Sequence, residues 1–177
     1  MESPDEELML AYGGGDAGAF DTLYARHRGG LFRFVLRAVK DRGVAEELFQ
    51  EVWVRVIESR SRYAPKARFT TWLYTIAHNL LVDHWRRKGL SLVSLDGEDA
   101  ASESANPARQ AEGRQALARL LQALEQLPPA QREAFLLHQE GGLSVAEIAV
   151  VTGAGEEAAK SRLRYAMGKL KTAVDDG

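Results

Sequence analysis

The chain has 177 residues, 45% of them hydrophobic and 27% charged, with a formal net charge of -2, a balance that suits one medium or two small globular domains and excludes a wholly disordered polypeptide. It contains no cysteine, which removes disulfides, thiolate metal sites and thiol chemistry. No apolar run approaches the roughly 18 residues of a membrane span, and the acidic start MESPDEEL lacks the basic and apolar regions of a signal peptide, so a cytosolic protein without membrane insertion is expected.

The near-neutral sum conceals two basic segments. Residues 60 to 88 hold seven Lys or Arg against one acid, Asp83, and residues 160 to 171 hold five against none. Between them, residues 89 to 113 carry five acids and one base, Arg109. Local charge decides whether a surface attracts phosphate.

Helical spacing dominates from the N-terminus onward. Leu31, Phe34, Val35 and Ala38, then Ala45, Leu48, Val52 and Val56, recur at i, i+3 and i+4, and no alternating strand is visible. In the helix AEELFQEVWVRVIE (45 to 58), Glu46, Glu47, Gln50 and Glu51 gather opposite the apolar stripe. An acidic face of this kind serves either solubility or docking of a partner helix.

The next helix is FTTWLYTIAHNLLVDHWRR (69 to 87), with Thr70 or Thr71 as the expected cap and Leu73, Ile76, Ala77, Leu80 and Leu81 as the core stripe. Trp72, Asn79 and Arg86 follow one another at seven-residue intervals and share a side. An aromatic ring, an amide and a cation in line suit single-stranded nucleic acid, where bases stack, an unpaired edge is read and the backbone is neutralised. The residues alone leave a second reading open, in which Trp72 and Trp85 are helix-packing side chains. His27, His78, His84 and His138 have no partners at metal-ligand spacing, so no metal and no cofactor are expected.

Residues 90 to 113 replace the helical pattern with Ser, Gly, Asp, Asn and Pro and read as an acidic flexible linker. Helical spacing resumes at Leu117, Leu120, Leu121 and Leu124 and breaks at Pro128 and Pro129. The expected architecture is all-α, with a helical domain over 1–89, the linker over 90–113 and a second helical domain over 114–177. In LSVAEIAVVTGAGEEAAKSRLRYAMGKLK (143 to 171), Ser144 and Glu147 form a capping box beneath a Leu143–Ile148 staple, and Gly153 supplies a turn. That is the spacing of a helix-turn-helix. The second helix is expected to bury Leu163, Ala166, Met167 and Leu170 and to present Lys160, Ser161, Arg164 and Tyr165. Such a face suits the DNA major groove, or else it is a solvated cationic face near a helix C-terminus.

Taken in order, DEELMLAYGGGDAGAFDTLYARH, AEELFQEVW, FTTWLYTIAHN, LEQLPPAQREAFLL, LSVAEIAVVTG and KSRLRYA resemble the extracytoplasmic-function sigma factors, small two-domain members of the sigma-70 family. The resemblance covers nearly the whole chain. It implies an alternative sigma factor, not an enzyme, that binds core RNA polymerase through the β′ clamp helices and β flap, recognises promoter DNA and answers to an anti-sigma factor. By the same resemblance Glu47, Leu48, Gln50 and Glu51 meet polymerase. Tyr63, Phe69, Thr70, Trp72, Asn79, Arg86 and Arg87 meet the minus-10 element, and Lys160, Ser161, Arg162, Arg164 and Tyr165 the minus-35 element. Four positions depart from the family pattern: His27 replaces a usual Tyr, Glu47 a frequent Asp, Ala159 a frequent Val and Tyr165 a frequent Arg. The residues by themselves also fit a stand-alone helix-turn-helix regulator, which would footprint its site without polymerase.

Overall fold

The computed structural model describes residues 2–89 and 112–176. Every regular element among them is a helix: α1 (Asp5–Gly13), α2 (Ala17–Val39), α3 (Arg42–Glu58), α4 (Phe69–Arg87), α5 (Glu112–Gln126), α6 (Pro129–Gln139), α7 (Val145–Thr152) and α8 (Glu156–Asp175). The expected linker lies outside the described residues as far as 111, and residues 112 and 113 already belong to α5.

Local chemistry sets most helix ends. Asp16 accepts from the Ala19 amide and starts α2; Asp41 accepts from the Val44 amide and starts α3. Between them Lys40 turns the chain in the left-handed region at φ 61, its amide bonded to the Leu36 carbonyl. Leu31, Phe34, Val35, Ala38, Ala45, Val52 and Val56 are buried against the α4 stripe of Leu73, Ala77, Leu80 and Leu81, while Ile76 and Leu48 are half-buried.

The cap of α4 differs from expectation. Neither Thr70 nor Thr71 closes it; the Phe69 amide donates instead to Glu6 Oε2, 3.0 Å away on α1. Thr70 Oγ1 is buried with no hydrogen-bond partner, and Thr71 is turned toward α7. A carboxylate brought from another helix is a stronger acceptor than a threonine hydroxyl and also favours the positive end of the α4 dipole.

In the C-terminal half, Ser144 Oγ accepts from the Glu147 amide while Glu147 accepts from the Ser144 amide, so the capping box forms as read, with Leu143 and Ile148 buried beside it. Gly153 takes φ 72 and ends α7, and α8 follows after three residues. The buried stripe of α8 is Ala159, Leu163, Ala166 and Leu170. Met167 is 48% exposed, because its side chain lies about 100° around the helix from Ala166. Leu117, expected in the α5 stripe, is exposed as well.

The two halves pack together, α2 against α6 and α4 against α7. Arg33 Nε bonds Glu140 at 2.9 Å, and His78 Nδ1 meets Glu133 at 2.7 Å in a buried contact. Gly30 permits the close approach: a Cβ there would lie 3.0 Å from the Glu140 carbonyl oxygen and 3.3 Å from the Tyr74 hydroxyl. In an exposed helix, replacing glycine gains about 0.5–1 kcal/mol. Here Gly30→Val is expected to lower the Tm, measured by circular dichroism, because the branched side chain wedges α2 away from α6; an unchanged or higher Tm contradicts that packing.

Candidate nucleic-acid interface

The segment 59–68 joins α3 to α4 and carries Arg60, Arg62, Lys66 and Arg68, all exposed. It leads directly into an aromatic cluster. Tyr63 is buried, its ring 4.9 Å from Trp72 and 6.4 Å from Phe69, and Trp72 lies 5.7 Å from Phe69. Phe69 is fully buried and serves as the floor, whereas Trp72 is half-buried and keeps part of its surface at solvent. Trp85 belongs to the core. The two readings of the tryptophans therefore divide between them: Trp85 packs, and Trp72 both packs and offers a face.

A cavity of about 420 Å³ opens beside this cluster, lined by Arg62, Tyr63, Lys66, Thr71, Trp72 and Val150. The last of these comes from α7 and is 67% exposed. Burial pushes the Tyr63 hydroxyl up to about 12, helped by the carboxylates of Glu6 and Asp5, so it stays protonated across the physiological range. The cavity combines cations, ring surface and hydroxyls, groups that receive a nucleobase and its phosphate.

Two turns along α4, Asn79 is exposed and lines a second cavity of about 510 Å³ with His78, Arg86, Glu133, Gly153 and Arg162. Trp72 and Asn79 lie on one side of α4 but in different cavities, separated where α7 crosses the helix. Arg86 and Arg87 are exposed at the α4 C-terminus. The pKa of His84, beside them, is driven down by burial and by the charges of Lys88 and Arg87.

Arg68, which ends the segment before α4, and Thr71, read from the sequence as a candidate α4 cap, together make a polar contact with α7. Arg68 Nε and Nη2 bond Glu147 at 2.7 and 3.0 Å, and Thr71 Oγ1 donates to the same carboxylate at 2.9 Å. The Arg68 guanidinium, first, and the Ser144 and Thr71 donors hold the Glu147 carboxyl down at about 2, against the opposing effect of burial. Nothing local signals this pairing, since 79 residues separate Arg68 from Glu147.

On α8, Lys160, Arg164 and Tyr165 are exposed and Ser161 is half-buried. The Arg164 guanidinium lies 5.9 Å from the Tyr165 ring centroid, so the tyrosine supports the cation on the outer face. Arg162 points elsewhere, into the cavity that holds Asn79. On α3, Glu47, Gln50 and Glu51 are exposed and Leu48 half-buried, with Glu51 3.3 Å from Arg55. Among the described residues, no group of three or more His, Asp or Glu is placed to hold a metal, and no helix is long and apolar enough to cross a membrane.

Two family models match these halves in turn: Sigma-70 region 2 over residues 23–90 and Sigma-70, region 4 over residues 117–170. The RNA polymerase sigma factor CarQ of Myxococcus xanthus is 36% identical over 166 residues, covering 92% of this chain and 93% of CarQ. The ECF RNA polymerase sigma factor BldN of Streptomyces coelicolor is 34% identical over 162 residues, or 90% of this chain and 61% of BldN. The fold is shared with the sigma factor RpoE of Bartonella quintana, solved in complex with the anti-sigma factor NepR, at a TM-score of 0.67 and 24% identity over 88% of this chain and 96% of that one. Matched by both family models in turn and by relatives 34% and 36% identical over most of its length, this chain belongs to the extracytoplasmic-function class of sigma-70 family RNA polymerase sigma factors.

Proposed function

We propose that the chain directs core RNA polymerase to promoters through two readers: residues 1–89 take the minus-10 element and residues 114–177 the minus-35 element. The observation that carries this reading is the side of α4 where Trp72 keeps an open ring face, Asn79 is exposed and Arg86 and Arg87 follow, beside a cavity edged by Arg62 and Lys66. A ring to stack on, an amide for an unpaired edge and cations for the backbone favour strand-separated DNA over duplex. Lys160, Ser161, Arg164 and Tyr165 sit on the second helix of a helix-turn-helix, the element that enters a major groove. Arg162 is the weaker member of that set, since its half-buried side chain lines the Asn79 cavity. Glu47, Leu48, Gln50 and Glu51 supply an acidic helix surface for the polymerase clamp helices.

Promoter engagement on this reading requires the halves to separate. Minus-35 and minus-10 elements lie about 25 base pairs, or roughly 85 Å, apart, whereas a packed chain of this length has a radius of gyration of only about 16 Å. Val150 also overhangs the cavity beside Trp72. An anti-sigma factor is the expected further partner, holding the chain off polymerase; RpoE of Bartonella quintana, whose fold this chain shares, was solved with one.

The test is run-off transcription with purified bacterial core polymerase on a randomised promoter library. A defined set of promoters should be transcribed only when the chain is added, and Trp72→Ala and Asn79→Ala should each reduce open complexes about tenfold, the loss of one stacked or paired base. A footprint on duplex without polymerase, and no transcription with it, would identify a stand-alone regulator instead.

A further inference from the structure

The matched region 2 begins at residue 23, so α1 stands outside it, yet α1 touches both ends of the segment that shapes the Trp72 cavity. Segment 59–68 has little internal support. Its own backbone bonds are Arg62 to Ser59 and Lys66 to Ala64, and most of its side chains face solvent. Its position is therefore set largely from outside.

At the near end, α1 stops at Gly13 against the Arg60 carbonyl: a Cβ on Gly13 would lie 2.4 Å from that oxygen. The Arg60 guanidinium lies 5.9 Å from the Tyr12 ring centroid, one residue back. At the far end, Glu6 Oε2 receives the Phe69 amide at 3.0 Å and supplies the only side-chain cap of α4 among the described residues. The helix carrying these contacts is itself anchored. Asp5 accepts from Arg26 at 2.9 Å and meets His27 Nε2 at 2.8 Å, and Met9 is fully buried. His27, the departure from the family's tyrosine, thus fastens α1 to α2.

We infer that α1 is a brace that sets the width of the minus-10 cavity, with Glu6 and Gly13 as its positioning residues. Glu6 fixes where α4 begins, and hence Trp72 one turn further on; Gly13 fixes where the basic segment leaves α3. Neither residue touches DNA. The inference rests on the minus-10 reading of the Trp72 cavity.

The experiment uses holoenzyme assembled from core polymerase and the full chain, with a labelled single-stranded non-template minus-10 oligonucleotide from the best promoter of the library as probe. Affinity for core polymerase is measured in parallel. Glu6→Ala, which loses one charge-assisted hydrogen bond, and Gly13→Ala, whose Cβ presses on the Arg60 carbonyl, are each expected to bind core polymerase within about twofold of the parent and to bind the oligonucleotide about tenfold more weakly. Glu6→Gln keeps an acceptor for the Phe69 amide and should recover most of the affinity, and the exposed neighbour Glu7→Ala should change nothing. The brace is overturned if Glu6→Ala binds the oligonucleotide as the parent does, if core affinity falls in parallel, or if Glu6→Gln recovers nothing. Trp72→Ala separates the two claims. Parent-like oligonucleotide binding by that variant removes the minus-10 reading itself, whereas its loss beside parent-like Glu6→Ala removes the brace alone.

Discussion

Arg132→Ala is expected to lower stability by about 3–5 kcal/mol, a large share of the 5–15 kcal/mol typical of a folded domain. The Arg132 side chain is 5% exposed, and its guanidinium donates to four carbonyl oxygens: Leu124 at 3.1 Å, Glu125 at 3.1 Å, Leu127 at 2.8 Å and Ala38 at 3.0 Å. Three of these belong to the end of α5 and the turn into α6, where Pro128 and Pro129 donate no amide hydrogen bonds and the final carbonyls of α5 need outside donors. The fourth is in the last turn of α2, across the junction between the halves. Removing the guanidinium takes a donor from all four carbonyls at once, leaves Leu124 only the Leu127 amide and Glu125 only Lys40 Nζ, each at 3.3 Å, and opens a cavity. Burial already lowers the Arg132 pKa, but a guanidinium stays charged under any physiological condition, so its hydrogen bonds are what make burial tolerable. Thermal unfolding followed by circular dichroism checks this: a Tm fall of about 10 °C or more is expected, and a fall of a degree or two would mean that water replaces the bonds freely. Arg132→Met separates volume from bonding, because it restores bulk without donors and should recover only part of the loss.

Glu147→Ala is the second large effect, expected to weaken the closed arrangement by about 2–3 kcal/mol. One carboxylate completes the α7 capping box and receives both Arg68, just before α4, and Thr71 of α4, so a single substitution loosens the start of the helix-turn-helix and its hold on α4 together. Small-angle scattering should report a larger radius for the variant than for the parent. An unchanged radius would show that the apolar contacts and the His78–Glu133 pair hold the halves without it. Glu147→Gln should fall between the two, keeping acceptors but losing charge. The same group gives a pH dependence of known sign. Its folded pKa, about 2, lies below the ordinary 4.5, so its contribution is present in full above that ordinary value and disappears as pH falls from about 4.5 toward 2. Arg68 also loses its partner on opening, which frees a cation and the Thr71 hydroxyl beside the Trp72 cavity.

Where a structural feature depends on partners a few residues apart, it was legible in advance. The Ser144–Glu147 box, the Gly153 turn and the buried stripes of α2, α3 and α4 follow from spacings of three or four residues, over which helix geometry is invariant. The exposed faces of α8 and α3 were legible for the same reason, because a helix that buries one stripe must show the other. Stripe edges follow a different rule: Met167 and Leu117 lie at the boundary of their stripes, and whether a boundary residue is covered depends on what neighbouring helices bring. Thr70 and Thr71 show the same limit at a helix end, where a nearer hydroxyl was displaced by a carboxylate 63 residues away.

The order of residues by itself determined an all-helical chain, its two halves, the turn between α7 and α8, and the exposure of Asn79, Lys160 and Arg164, since each depends on periodicity or on a local cap. Only tertiary packing decided that Glu6 starts α4, that Arg68 and Thr71 share Glu147, that Arg162 turns inward and that Arg132 joins three helices. Those contacts unite groups far apart along the chain, and distant positions meet only when the hydrophobic stripes have chosen which helices lie side by side.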